Sequence, residues 1–136
     1  MIRPIMRTIE FLKQPSETAT KDDLEIAQDL IDTLRFHKDE CVGMAANMIG
    51  RLKRIIVFED AGKYVVMFNP RLLKADDAFK AEESCLSLVG VRCAKRYKSI
   101  KVEFENEVFQ TRIKTYKGFT AQIIQHEMDH LDGVII

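Results

Sequence analysis

Gln125-His126-Glu127-Met128-Asp129-His130-Leu131 decides how the rest of the chain is read. It contains His-Glu-x-x-His, with the histidines at i and i+4. On a helix that spacing puts both imidazoles on one face, one turn apart. Two neutral imidazoles can then share a metal ion. Glu127 stands beside the ion's open position, where it can take a proton from a bound water. The flanks support a packed helix: Ala121, Ile123, Ile124, Met128 and Leu131 form an apolar stripe. Glu127 lies within that stripe. A buried, unpaired carboxylate is costly, and a metal site is a reason to keep one. The chain has three histidines, His37, His126 and His130, so the motif takes two of them.

The 136 residues suit one domain, 1–136, with a real core. Lys plus Arg and Asp plus Glu balance at 21 each, so no basic excess points to nucleic acid. No apolar run approaches a membrane span, and Met1 to Lys13 lacks the apolar core of a secretory signal. Three cysteines, an odd number without framework spacing, predict free thiols in a reducing cytoplasm.

Pro4 and Pro15 bracket an irregular lead-in whose apolar cluster, Ile5, Met6, Ile9, Phe11 and Leu12, is expected to lie across the core. Thr20 with Asp23 resembles a capping box, opening an amphipathic helix over 21–37 with Leu24, Ala27, Ile31 and Leu34 on one face. His37, at its C-terminal end, suits dipole capping better than metal ligation. Glu40 to Gly50 is a small-residue stretch that lets the backbone approach something closely, whether for packing or as the wall of a peptide groove.

Residues 54–59 and 64–69 are β-branched and aromatic runs joined by a hairpin turn at 60–63. Asn69-Pro70 is expected to end the second strand. Residues 71–82 give no clear pattern. Ile100, Val102 and Phe104 alternate with charged residues in a half-buried strand, Asn106-Glu107 is a turn, and 108–116 is the return strand. Antiparallel sheets packed around a metal-binding helix make an α+β fold.

A hydrolytic site needs three protein ligands and an open position. Cys41, Cys85, Cys93, His37 and many carboxylates are candidates for the third. Cys85 stands out after Glu82-Glu83-Ser84, in a connection between strands, whereas Cys93 reads as a core thiol. Arg92 and Arg96 read as surface charges, with pairing to Asp129 behind the metal as the alternative.

Gly43-Met44-Ala45-Ala46, Glu83-Ser84-Cys85-Leu86-Ser87 and Gln125-His126-Glu127-Met128-Asp129-His130-Leu131-Asp132-Gly133 together resemble the three ordered motifs of the peptide deformylases. Leu12-Lys13-Gln14-Pro15 and the first helix fit as well, so the resemblance covers nearly the whole chain. It implies Cys85, His126 and His130 as ligands of one divalent ion, Fe(II) natively, with Zn(II), Ni(II) or Co(II) as substitutes. It implies that water on the metal attacks the formyl carbonyl of N-formylmethionyl nascent peptides, met at the ribosome. Glu127 would be general acid/base, and the Leu86 backbone N–H the oxyanion donor. The substrate-binding residues it implies are Gly43, which would bind the peptide main chain, Met44, Leu86 and Ile123. They would surround an apolar pocket lined partly by the metal helix.

Three positions depart from the family pattern. Cys41 replaces the first glycine of the first motif, and Ser84 replaces the glycine before the cysteine. Met48 replaces a glutamine whose side chain donates to the oxyanion, and a thioether has no donor. Three functions follow. One is an active deformylase slowed by Met48. Another is a metal-retaining relative that binds formylated peptides without efficient turnover. The last is an unrelated His-Glu-x-x-His peptidase, against which Cys85 and the short chain count.

Overall fold

The computed structural model describes residues 1–136. Five strands, β1 (Gly43–Ala45), β2 (Ile55–Asp60), β3 (Lys63–Glu83), β4 (Arg92–Glu105) and β5 (Thr111–Lys117), form one antiparallel sheet in chain order. Helices α1 (Ile9–Leu12) and α2 (Leu24–Phe36) precede the strands, and α3 (Gly118–Leu131) follows them. The class is α+β as expected, although the sheet is continuous rather than several.

The centre of the sheet is buried on both faces. Strand side chains alternate, so Ile55 and Val57 enter one core while Ile56 and Phe58 enter the other. Val66 and Phe68 likewise oppose Met67. The first core is closed by α2 through Ile26, Ala27, Leu30 and Leu34, and the second by α3 through Ala121, Ile123, Ile124 and Leu131. The two helices therefore cover opposite faces. This explains why β2 reads as a continuous apolar run.

The capping box forms as expected: Asp23 accepts from the Thr20 backbone N–H at 2.8 Å. It opens a 3₁₀ turn that runs into α2. The buried face of α2 is rotated from the expected one. Leu24 is 43% exposed, while Ile26, Leu30 and Thr33 are buried beside Ala27 and Leu34. Asp29 is buried on that same side because Arg3 Nε donates to it at 2.9 Å. In the lead-in Leu12 and Ile5 pack inward, but Ile9 stays 45% exposed.

The largest departure is β3. It does not end at Asn69-Pro70 but continues to Glu83, absorbing the unpatterned 71–82. The pairing register shifts between Phe68 and Arg71 and again between Leu72 and Lys74. Pro70 falls at the first shift, where a bulge tolerates the missing N–H. Asn69, at φ 52, is held by its amide, which accepts from Ala19 N–H and donates to Glu105. Much of 71–82 is exposed, so no face is apolar and the alternation that marks strands elsewhere is absent. The return strand starts at Thr111 rather than 108, because Asn106 Oδ1 folds 106–110 into a loop by accepting from the Val108 and Gln110 N–H groups.

This ribbon of β3 and β4 carries Cys85. Residues 84–91 are its end loop, closed by the Glu83↔Arg92 pair. β5 pairs with β4 only from Ser99 onward. Beyond it, α3 takes over the β4 edge: Gln125 accepts from the Tyr97 N–H at 2.9 Å and donates to its carbonyl at 2.8 Å. Those backbone groups would otherwise lack partners. Gly118, at φ 63, turns the chain from β5 straight into α3. No helix is long and apolar enough to cross a membrane.

Candidate metal centre

His126 and His130 project from one face of α3, a turn apart, with ring centroids 4.7 Å apart and their Nε2 atoms 3.0 Å apart. The end loop of the ribbon brings Cys85 to them. The three candidate ligand atoms, one from each residue, all lie within 4.8 Å of one another. A thiolate and two imidazoles with such spacing can converge on one ion of the first transition series. Cys41 and His37 are not part of this group. His37 ends α2 with Nδ1 3.4 Å from Glu40, in keeping with a capping role. Cys93 is exposed on β4 rather than buried as a core thiol, because its side of the ribbon faces solvent.

The ring orientation of His126 is fixed from behind. Its Nδ1 stands 2.8 Å from Glu83 Oε1. With that nitrogen donating to the carboxylate, Nε2 keeps its lone pair for a metal. Glu83 also accepts from Arg96 Nε and Nη2 and from Gln122 Nε2. Arg96, only 3% exposed, donates Nη1 to Asp129 at 2.7 Å. The expectation of a surface charge fails for Arg96: the ribbon folds over α3 and buries the guanidinium between two carboxylates. Burial alone would raise the Glu83 pKa, but hydrogen bonds from His126, Arg96 and Gln122 hold it down at about 2. Burial opposes charge on His126, yet the neighbouring Cys85 and Glu83 raise its pKa. Burial and the His126 charge depress that of His130.

Glu127 is 4% exposed, and its Oε1 has no hydrogen-bond partner. Burial pushes its carboxyl up to about 7, only partly opposed by the charge of His126. The orphaned oxygen is a buried polar atom without an internal explanation, which fits a site built for an ion and water. Gly43 closes on it: a Cβ there would stand 2.8 Å from Glu127 Oε2 and 2.7 Å from Ile123 Cγ2. The small-residue stretch thus lets the β1 backbone pack closely on α3, with Gly43 also lining the cavity.

Gly43, Met48, Cys85, Leu86, Ile123 and Glu127 share one cavity of about 340 Å³. Met44 does not line it; this side chain is fully buried in the α2 core. Met48 is 2% exposed, and its Sδ lies 3.5 Å from the Ala45 nitrogen and 3.9 Å from Cys85 Sγ. Sequence reasoning missed the roles of Glu83, Gln122 and Asn47, while the pairing of Arg96 with Asp129, held only as the alternative, is the arrangement found. Asn47 donates Nδ2 to the His130 carbonyl at 2.9 Å. Only an i,i+4 relation such as His126–His130 is visible in local spacing. These contacts arise from elements far apart in the chain.

Comparison with known proteins agrees with this geometry. Residues 3–136 match the family described as polypeptide deformylase. A relative from Clostridium beijerinckii named peptide deformylase is 53% identical over 136 residues, covering 100% of both chains. The crystal structure of peptide deformylase from Thermotoga maritima matches with a TM-score of 0.89 at 28% identity, covering 99% of this chain and 95% of that one. A Met-Ala-Ser-bound class I type b peptide deformylase from Acinetobacter baumannii matches with a TM-score of 0.88 at 25% identity, covering 99% and 97%. The match spans the ribbon loop that carries Cys85, the small-residue strand and the histidine helix alike, and on it the chain belongs to the polypeptide deformylase family.

Proposed function

We propose that this chain, as one catalytic domain over 1–136, removes the formyl group from N-formylmethionyl nascent peptides in a reducing cytoplasm, with the ribosome as the place of encounter. The reading rests on family membership and on one observation: Cys85, His126 and His130 converge beside a buried carboxylate with an unpartnered oxygen. Cys85, His126 and His130 would hold the ion, Fe(II) natively, with Zn(II), Ni(II) or Co(II) able to replace it. A divalent ion there supplies Lewis acidity that makes water nucleophilic at neutral pH.

The chain's own residues do the rest. Glu127, raised by burial, accepts a proton from the attacking water and delivers one to the leaving amine. Leu86 and Gly43, which both line the cavity, offer backbone groups to the formyl oxygen and the peptide main chain. Ile123 supplies apolar wall for the methionine side chain. Glu83 keeps His126 in the ligating tautomer. The Acinetobacter relative described with Met-Ala-Ser bound is consistent with a peptide beginning in methionine.

One observation favours a second reading. Met48 presents a thioether to the site where a donor would stabilise the oxyanion. Metal-loaded, anaerobically purified protein assayed with a formyl-Met peptide separates the two. Release of formate supports deformylation. Full metal occupancy with no turnover, and no gain in Met48→Gln, supports a formyl-peptide-binding relative instead. Cleavage of an internal peptide bond would point to a peptidase.

A further inference from the structure

The lead-in contacts both walls of the site through two adjacent residues. Met6 N–H donates to the Met48 carbonyl at 2.7 Å. Arg7 Nη1 donates to the Leu86 carbonyl at 2.7 Å, across 79 residues of sequence. Met48 and Leu86 line the cavity together with Cys85. The segment is anchored further back as well. Arg3 N–H donates to Thr33 Oγ1 at 2.9 Å, Arg3 Nε donates to Asp29, and Ile5 packs into the α2 core. Residues 3–7 thus form a strap from α2 to the site.

The loop at 84–91 is only partly packed: Cys85 and Leu86 lie against the α2 core and Ser87 is buried. Its own backbone is held by the turn bond from Leu88 N–H to the Cys85 carbonyl, at 3.1 Å. Val89 and Val91 are 93% and 64% exposed, so the far part of the loop has little packing to fix it. A guanidinium donating to a carbonyl is a charge-assisted bond, shorter and stronger than a neutral one. It pins the peptide unit immediately after the Leu86 side chain, and with it the orientation of the residue that follows Cys85.

We infer that Arg7 is a positioning residue for the reaction: its bond to the Leu86 carbonyl holds the Cys85-Leu86 segment at a fixed distance from Met48 and aims the Leu86 N–H into the site. The inference rests on the deformylase reading above. Arg7 is not among the residues lining the cavity, and its guanidinium bonds the Leu86 carbonyl rather than a candidate ligand. It is exposed, so its bond contributes little to global stability. Its effect belongs to the transition state, where a donor misplaced by about 1 Å loses much of its worth.

The test uses the full metal-loaded chain and the variants Arg7→Ala and Arg7→Lys. Arg7→Ala is expected to lower kcat about tenfold with KM within about twofold of wild type. Metal content and Tm stay unchanged, and backbone hydrogen exchange speeds up at 84–88 alone. Arg7→Lys, which keeps a charged donor, recovers most of the loss. Unchanged exchange at 84–88 in Arg7→Ala overturns the inference. So does a rate loss that follows Tm or metal content, which would make Arg7 merely structural. Should the wild-type protein release no formate, the deformylase reading fails, and the exchange measurement still decides whether Arg7 holds the loop.

Discussion

Glu83 accepts a hydrogen bond from His126 Nδ1 at 2.8 Å, across 43 residues of sequence. The end of the long ribbon thereby supplies both a candidate ligand, Cys85, and the partner that orients another. Replacing Glu83 by Gln removes the charge that Arg96 and His126 share. Loss of such an outer partner typically weakens metal binding about 10- to 100-fold. Breaking a buried pair typically costs about 3–5 kcal/mol, and the low end is expected here because Asp129 still faces Arg96. Competitive metal titration and thermal unfolding of Glu83→Gln measure the two effects separately.

Cys85→Ala and His126→Ala are each expected to abolish stoichiometric metal, since two remaining ligands hold such an ion poorly. Elemental analysis after dialysis decides this. Retention of one tightly bound ion by both variants would refute the assignment.

Met48→Gln is expected to raise kcat/KM. A single oxyanion donor is worth about 10²–10³ in rate, which bounds the gain from above. The Ala45 N–H that now faces Sδ can donate to the new amide oxygen, easing burial of a polar group. Steady-state formate release by the two proteins, matched for metal content, gives the answer, and a rate no higher than wild type counts against an oxyanion role at this position.

Gly43→Ala is expected to be destabilising and to depress activity by about 10² or more. The new Cβ would fall within 2.8 Å of both Glu127 and Ile123, and neither can retreat within a buried helix face. Thermal unfolding and turnover, with metal content checked, separate the displacement of Glu127 from metal loss.

The thiols should differ sharply in reactivity. Burial, helped by the charges of Glu127, Cys85 and Glu40, pushes the Cys41 thiol up to about 12. At pH 8 it is almost wholly protonated and poorly nucleophilic. Cys93 is exposed. Iodoacetamide on the metal-loaded protein should therefore modify Cys93 well before Cys41, with Cys85 protected until a chelator is added. Peptide mass mapping over time follows the order.

The helix carrying His126, Glu127 and His130 was legible because its information is local. A four-residue spacing fixes one face of α3 whatever surrounds it. The hairpin at 60–63 and the cap at Thr20–Asp23 were legible for the same reason. The resemblance of three ordered motifs pointed to Cys85, which its own neighbours could not select over other thiols. Residues 71–82 were illegible because the ribbon exposes much of them, so burial leaves no period in the sequence.

By itself, then, the sequence determined the class of chemistry: two imidazoles and a carboxylate on one helical face, and a cysteine motif to complete them. Only the tertiary structure decided what surrounds them. The bulges at Phe68/Arg71 and Leu72/Lys74 shift the register of the ribbon whose end sets Glu83 and Arg96 against α3. The approach of β1 to α3 leaves no room for a side chain on Gly43. Chain reversal at the site places Met48 Sδ 3.9 Å from Cys85 Sγ. Each is a contact between distant residues, set by strand register and by the packing of α3 on the sheet, which local spacing does not encode.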